Sequence, residues 1–197
     1  MKMKMLLLVV GLLVASALVK GQSFIEGQLT AADGSQTPNL VARPTINIAG
    51  RWNLQGLAYV SQDYAEMYVG PQYLIIQPAD SLGIIQMCLS AGIGLEQADE
   101  ALRLAFILEA FGADWDGLAA IEYGSSGLYW KGQSSHKVFG AADSFVGLGF
   151  YGESATGLGP RLTWTKVQPN NQMLQLWCNL AYDRLRSYQL IGATYLW

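Results

Sequence analysis

The last ten residues, Tyr188-Gln-Leu-Ile-Gly-Ala-Thr-Tyr-Leu-Trp197, alternate apolar with polar or small side chains and stop on an aromatic ring. The same period of two recurs upstream in segments of about 8 to 12 residues rich in Val, Ile, Leu, Tyr, Phe and Trp, the pattern of β-strands. Turn signals separate them: Asp33-Gly-Ser35, Gly50-Arg51, Gln62-Asp63, Pro78-Ala-Asp80, Gln97-Ala-Asp-Glu100, Gly112-Ala-Asp114 and Gly124-Ser-Ser-Gly127. Further along come Gly140-Ala-Ala-Asp143, Gly152-Glu153, Pro169-Asn-Asn171 and Tyr182-Asp183. Counting every segment, including the weak Phe24–Thr30, gives about twelve strands, and transmembrane strands need about 9 to 11 residues each. Ten strands, or eight, are the alternatives, because Phe24–Thr30 could be a free arm and Leu118–Tyr123 is short. Glu100–Phe111 combines helix-forming Ala, Leu and Glu with clean alternation at Leu102, Leu104, Phe106 and Leu108, and the alternation favours a strand.

The N-terminus limits the compartment. Lys2 and Lys4 precede an apolar run from Met5 to Val19, and Ala15, Ala17 and Gly21 supply small residues near a plausible cut. This is the layout of a secretory signal peptide, expected over residues 1–21 with cleavage after Gly21, or alternatively after Ala17. The run is shorter than the roughly 20 apolar residues of a membrane-spanning helix. Lys2, Lys4 and Lys20 leave with it, so nine basic and fifteen acidic residues remain over 22–197. That acidic balance argues against nucleic acid as a partner. Charged residues are only 14% of the chain, yet no second long apolar run exists. A transmembrane barrel has this composition because it hides its hydrophobicity in alternation. The expectation for 22–197 is therefore an all-β fold, a closed antiparallel transmembrane β-barrel with short loops on both sides. A soluble barrel such as a lipocalin shows the same alternation with the polar face outward.

Parity sorts the side chains. One face carries Ile46 and Ile48; Val69, Tyr73 and Ile75; Ile85, Met87 and Leu89; Leu104, Phe106 and Leu108. It continues with Val146, Leu148 and Phe150; Leu162 and Trp164; Leu174, Leu176 and Leu180; Ile191, Ala193, Tyr195 and Trp197. These face lipid in the expected barrel. Tyr59, Tyr73, Tyr151, Trp164, Tyr182, Tyr195 and Trp197 are the candidates for the aromatic girdles at the two interfaces. The other face carries Arg43, Gln72, Arg103, Glu109, Glu122, Lys131 and Arg161. Arg or Lys facing lipid at the bilayer midplane costs roughly 2 to 4 kcal/mol, so these residues belong to the lumen. Four cations against two anions make that lumen slightly basic. Cys88 shares parity with Gln86 and Ser90, and Cys178 with Leu176 and Leu180, so the two thiols point to opposite faces and stay free.

Val69-Gly-Pro-Gln-Tyr-Leu-Ile75 and Leu158-Gly-Pro-Arg-Leu-Thr-Trp164 echo each other, with a proline expected at a strand entry or bulge. This Gly-Pro-polar-apolar pattern resembles strands of small Gram-negative outer-membrane barrels, porin-like and OmpA-like. The terminal Tyr195-Leu-Trp197 resembles the signal that the barrel-assembly machinery of that superfamily reads. The resemblance implies outer-membrane localisation, contact with outer-membrane lipid, and the assembly machinery as a partner during insertion.

The short loops point to a structural role, in association with other envelope proteins, because binding function on such scaffolds usually resides in long loops. The alternative is a narrow solute pore leaning toward anions, with the lumen cations as selectivity residues. Whether those charges plug the lumen or line a path stays open, since about eight strands are filled by side chains and about sixteen leave a channel. A second alternative, a lipid-modifying enzyme, rests only on Ser134 and His136 sharing a face, with Asp143 or Glu153 as a possible third member. His136 is the only histidine, so a multi-histidine metal site is excluded. No catalytic set, cofactor or metal is expected.

Overall fold

The computed structural model describes residues 23–76, 84–96, 101–112, 114–125, 127–168 and 172–197. Thirteen strands make up its regular structure: β1 (Phe24–Ala32), β2 (Ser35–Arg43), β3 (Thr45–Ala49), β4 (Trp52–Val60), β5 (Ala65–Ile76), β6 (Ile84–Glu96) and β7 (Ala101–Gly112). β8 (Trp115–Gly124), β9 (Gly127–Gly140), β10 (Ser144–Glu153), β11 (Gly157–Val167), β12 (Met173–Tyr182) and β13 (Ser187–Leu196) complete the series. The leader 1–21 and the turn signals at Pro78–Asp80, Gln97–Glu100 and Pro169–Asn171 lie outside the described residues.

Thirteen segments make a twelve-strand wall. β2 and β3 are one strand interrupted at Pro44, which has no N–H to give the ladder. Both pair with β4, through Leu40–Ala42 on one side of the proline and Thr45–Asn47 on the other, and the Gly56 N–H donates to the Pro44 carbonyl at 2.9 Å. The sheet closes where β1 meets β13 antiparallel from Phe24↔Leu196 to Ala31↔Gln189, which leaves no free edge. The Ser23 and Trp197 backbones exchange two bonds of 3.0 Å beyond it. An even wall puts both termini at one end. At the other end Asp33 (φ 50°) and Gly34 (φ 80°) form the two-residue turn that Asp-Gly predicts.

Burial is inverted relative to a soluble barrel. Among the described residues the buried set holds 23 polar or charged side chains against 14 apolar ones. Large apolar side chains face out, with β7 as the clearest case: Leu102, Leu104, Phe106 and Leu108 are exposed, while Arg103, Ala105, Ile107 and Glu109 are buried. The ladders to β6 and β8 outweigh the helical propensities of that segment. Phe24–Thr30 is a wall strand and not a free arm, and the Leu118–Tyr123 segment extends to the ten residues of β8. The lipocalin-like alternative fails on this inverted burial.

The Gly-Pro echo is not a strand-entry device at Pro71. Pro71 lies mid-strand in β5 and Pro160 is the fourth residue of β11, and both are exposed on the outer face. The ladder skips the Gly-Pro step at each site, from Val69↔Ile93 to Gln72↔Ser90 and from Leu158↔Tyr182 to Arg161↔Asn179, with the register unbroken. Each preceding glycine accommodates a neighbouring backbone. A Cβ on Gly70 would lie 1.9 Å from the Ala91 oxygen, and one on Gly159 would lie 1.6 Å from the Leu180 oxygen. The same sequence offset separates Gly70 from Gly159 and Ala91 from Leu180. The two close approaches sit six strands apart, on opposite sides of the barrel.

Candidate functional site

The lumen is the only place where polar chemistry converges among the described residues, and it divides into four clusters. Near the end opposite the termini, Arg103 meets Glu96 at 2.5 Å, Glu122 at 3.5 Å and Glu66 at 3.9 Å. Hydroxyls complete the set: Tyr64 donates to Glu66 (2.6 Å), Tyr68 to Glu122 (2.7 Å) and Ser125 to Glu96 (2.5 Å). These residues come from β5 to β8 and their turns, all at inward parity or at strand ends.

Closer to the termini Arg43 pairs with Glu109 and lies 4.4 Å over the Phe24 ring. Gln72 joins this cluster by donating to the Cys88 sulfur (3.4 Å) and accepting from Asn53 (2.8 Å). Cys88 is buried here and Cys178 lies on the outward side of β12, both as free thiols. Across the lumen Arg161 donates to Asn179 (3.1 Å) and Gln175 (3.2 Å) and stacks on Trp177 at 4.9 Å. The Trp177 indole donates to Thr194 (3.0 Å) and Glu26 (3.2 Å). The fourth cluster is built on Glu153, which accepts from Tyr129 (2.5 Å) and Thr156 (2.9 Å). Lys131 sits beside it, 5.9 Å over Tyr151.

Six of the seven residues assigned to the lumen by parity are buried, and Lys131 is half-buried. The charge balance of the whole lumen is not basic. Six glutamates are buried (Glu26, Glu66, Glu96, Glu109, Glu122 and Glu153) against three arginines, with Asp116 and Lys131 half-buried. The four glutamates that parity reasoning missed lie in the weak first segment (Glu26) or at or near turn signals (Glu66, Glu96 and Glu153) and read as arm or turn residues. Their usable signal was shared parity, as of Glu66 with Tyr68 in β5.

The girdles are partly redrawn. Tyr73 packs against Trp52 at 4.8 Å, Tyr195 stacks on Trp197 at 5.9 Å, and Trp164 is exposed on β11. Tyr151 is 1% exposed and points inward, where its ring serves Lys131, and Tyr59 also has inward parity. Trp52, Tyr123 and Trp130 are exposed in their place. Ser134 and His136 are exposed on the outer face of β9, whereas Glu153 is buried in the lumen and Asp143 pairs with Lys166 at 2.6 Å. The third member of a hydrolase set is therefore not beside them.

Water-accessible space remains at the terminal end. A cavity of about 190 Å³ opens there between Phe111, Trp115, Phe145 and Trp197, with Asp116 and Gln175 among its polar lining. From it, Asp116, Leu118, Gln133 and Lys131 keep intermediate exposure along the inner face of β8 and β9.

An antiparallel wall closed on itself, polar within and apolar without, defines a transmembrane β-barrel, and its fold is that of the outer-membrane porins. The KdgM porin superposes with TM-score 0.53 at 12% identity, over 87% of this chain and 98% of that one. The NanC porin gives 0.53 at 10%, over 88% and 98%. An outer-membrane channel from Pseudomonas putida F1 gives 0.53 at 12%, over 89% and 93%. No family model matches the chain, and no curated protein matches it by sequence.

Proposed function

We propose that this protein is a narrow outer-membrane pore for small solutes that favours cations, its path constricted by its own side chains. The observation that carries the reading is the acidic lumen, six buried glutamates against three arginines. Rings and clusters of carboxylates lower the barrier for cations in a confined, low-dielectric path. Hydration of the path is supported by the buried Arg161 Nε, Asn179 Nδ2 and Thr163 Oγ1, which find no partner within the protein and for which water is the natural one. The KdgM porin has also been solved with oligogalacturonate, a polyanion. The surplus of glutamates here disfavours a polyanion, so that ligand is not carried over, and the anion preference expected from the parity count is reversed.

Planar-bilayer recording under a salt gradient tests the reading. A small conductance with a cation-side reversal potential is expected, and joint Glu66→Gln and Glu122→Gln substitution reduces that preference. Silence from folded protein, or an anion-side potential, overturns it.

A second reading keeps the barrel as a structural element bound to other envelope proteins. The filled lumen and the connections of a few residues favour it, since little is left outside the wall to recognise a solute. Bilayer silence combined with a stable partner in mild detergent is its signature.

A further inference from the structure

We infer that the cavity at the terminal end of the barrel is a binding site for a small organic cation, an alkylammonium with an apolar body. The site draws on the seven strands from β7 to β13, with Phe111 from the end of β7, Trp115 and Asp116 from the start of β8, Lys137 on β9, Phe145 at the start of β10, Gln175 on β12 and Trp197 following β13. At about 190 Å³ it exceeds the ~150 Å³ apolar cavity that suffices to take up a benzene-sized molecule. Four aromatic rings among the lining give it negative ring faces, the surface that ammonium groups prefer.

The chain already places a cation in this environment. The Lys137 ammonium lies 5.4 Å over the Phe145 ring and 3.7 Å from the Asp114 carboxylate. That pair is neutral, so the net charge of the cavity comes from Asp116, whose Oδ1 accepts from Ser135. A second, independent observation points to a ligand. The Trp197 indole N–H is buried at the cavity with no acceptor in the protein, although buried indole donors usually have one. Rings, one surplus carboxylate and an unpaired donor suit an amino alcohol, whose ammonium meets Asp116 and the rings and whose hydroxyl oxygen accepts from Trp197. A hydrocarbon leaves the indole without an acceptor and the Asp116 charge without a cation of its own among the lining residues, and an anion meets Asp116.

The site shares the acidic interior with the pore reading but does not require conduction. Binding with silent bilayers overturns the pore alone, and conduction without binding overturns the site alone. Calorimetric titration of the folded full chain in detergent with choline, and separately with its neutral isostere 3,3-dimethylbutan-1-ol, provides the test. Saturable choline binding is expected, at least tenfold tighter than the alcohol and weakened at least tenfold by Asp116→Asn. Phe145→Leu, which leaves every charge in place, should weaken choline several-fold and serves as the second variant if Asp116→Asn fails to fold. Equal affinity for the two probes, absence of saturation, or wild-type affinity in a folded Asp116→Asn or Phe145→Leu protein overturns the site.

Discussion

Arg103 holds three glutamates that would otherwise repel one another in a low-dielectric space. Removing one partner of a buried ion pair costs far more than the pair contributes, because the remaining charge stays desolvated. Arg103→Ala should therefore lower stability by roughly 3–5 kcal/mol in urea unfolding from lipid vesicles. Lys166→Ala, which removes only the exposed partner of Asp143, should leave the midpoint unresolved from wild type. A loss for Arg103→Ala no larger than that for Lys166→Ala would contradict the lumen geometry. Outside the membrane, Asp183 accepts from the N–H groups of Leu185 (2.6 Å) and Arg186 (2.7 Å), and these bonds hold its pKa below the ordinary carboxylate value. A depressed folded pKa makes its contribution fully present above the unfolded value of about 3.9 and lost as pH falls through the folded one. Protection of the Leu185 and Arg186 amides, as exchange relative to the intrinsic rate, should be steady from neutral pH to about 4 and fall as pH drops below it. At this scale the arginines were legible because a cation in a membrane strand has one tolerable side. Glu66, Glu96 and Glu153 were not, because β5, β6 and β10 run further into their turn signals than a short strand window allows.

Among the elements, the alternation of β7 and β13 was plain in the sequence, and so was the Asp33-Gly34 turn. The split of one wall strand at Pro44 was not, because a proline between Arg43 and Thr45 reads as an ordinary extended residue until its missing donor is counted in the ladder. The Gly-Pro steps were recognised as a repeat, but the one at Pro71 was misplaced, since the sequence shows the lost donor at Pro71 and Pro160 and not the carbonyl facing each glycine. That carbonyl makes the step fragile. Gly159→Ala puts a Cβ against the Leu180 backbone and should cost roughly 1–3 kcal/mol, the range for forced overpacking. Gly132→Ala, with nothing within 4 Å of the added carbon, should be nearly neutral in the same assay. Equal midpoints for the two variants would show that the close approach at Gly159 is absent.

For the whole molecule, low charge, period two and the absence of a second long apolar run pointed to a barrel with its oil outside, and the buried set agrees. The lumen's net charge was not legible, because it is a sum over residues contributed by many strand ends and each misread end changes the total. Any function of this barrel depends on which face of the sheet meets lipid. Nitroxide labels placed singly at 102 to 109, in a chain with Cys88→Ser and Cys178→Ser and reconstituted in vesicles, test this directly. Collision with lipid-dissolved oxygen should peak at Leu102, Leu104, Phe106 and Leu108 and fall at Arg103, Ala105, Ile107 and Glu109. A flat profile, or one with the two sets exchanged, would contradict the account.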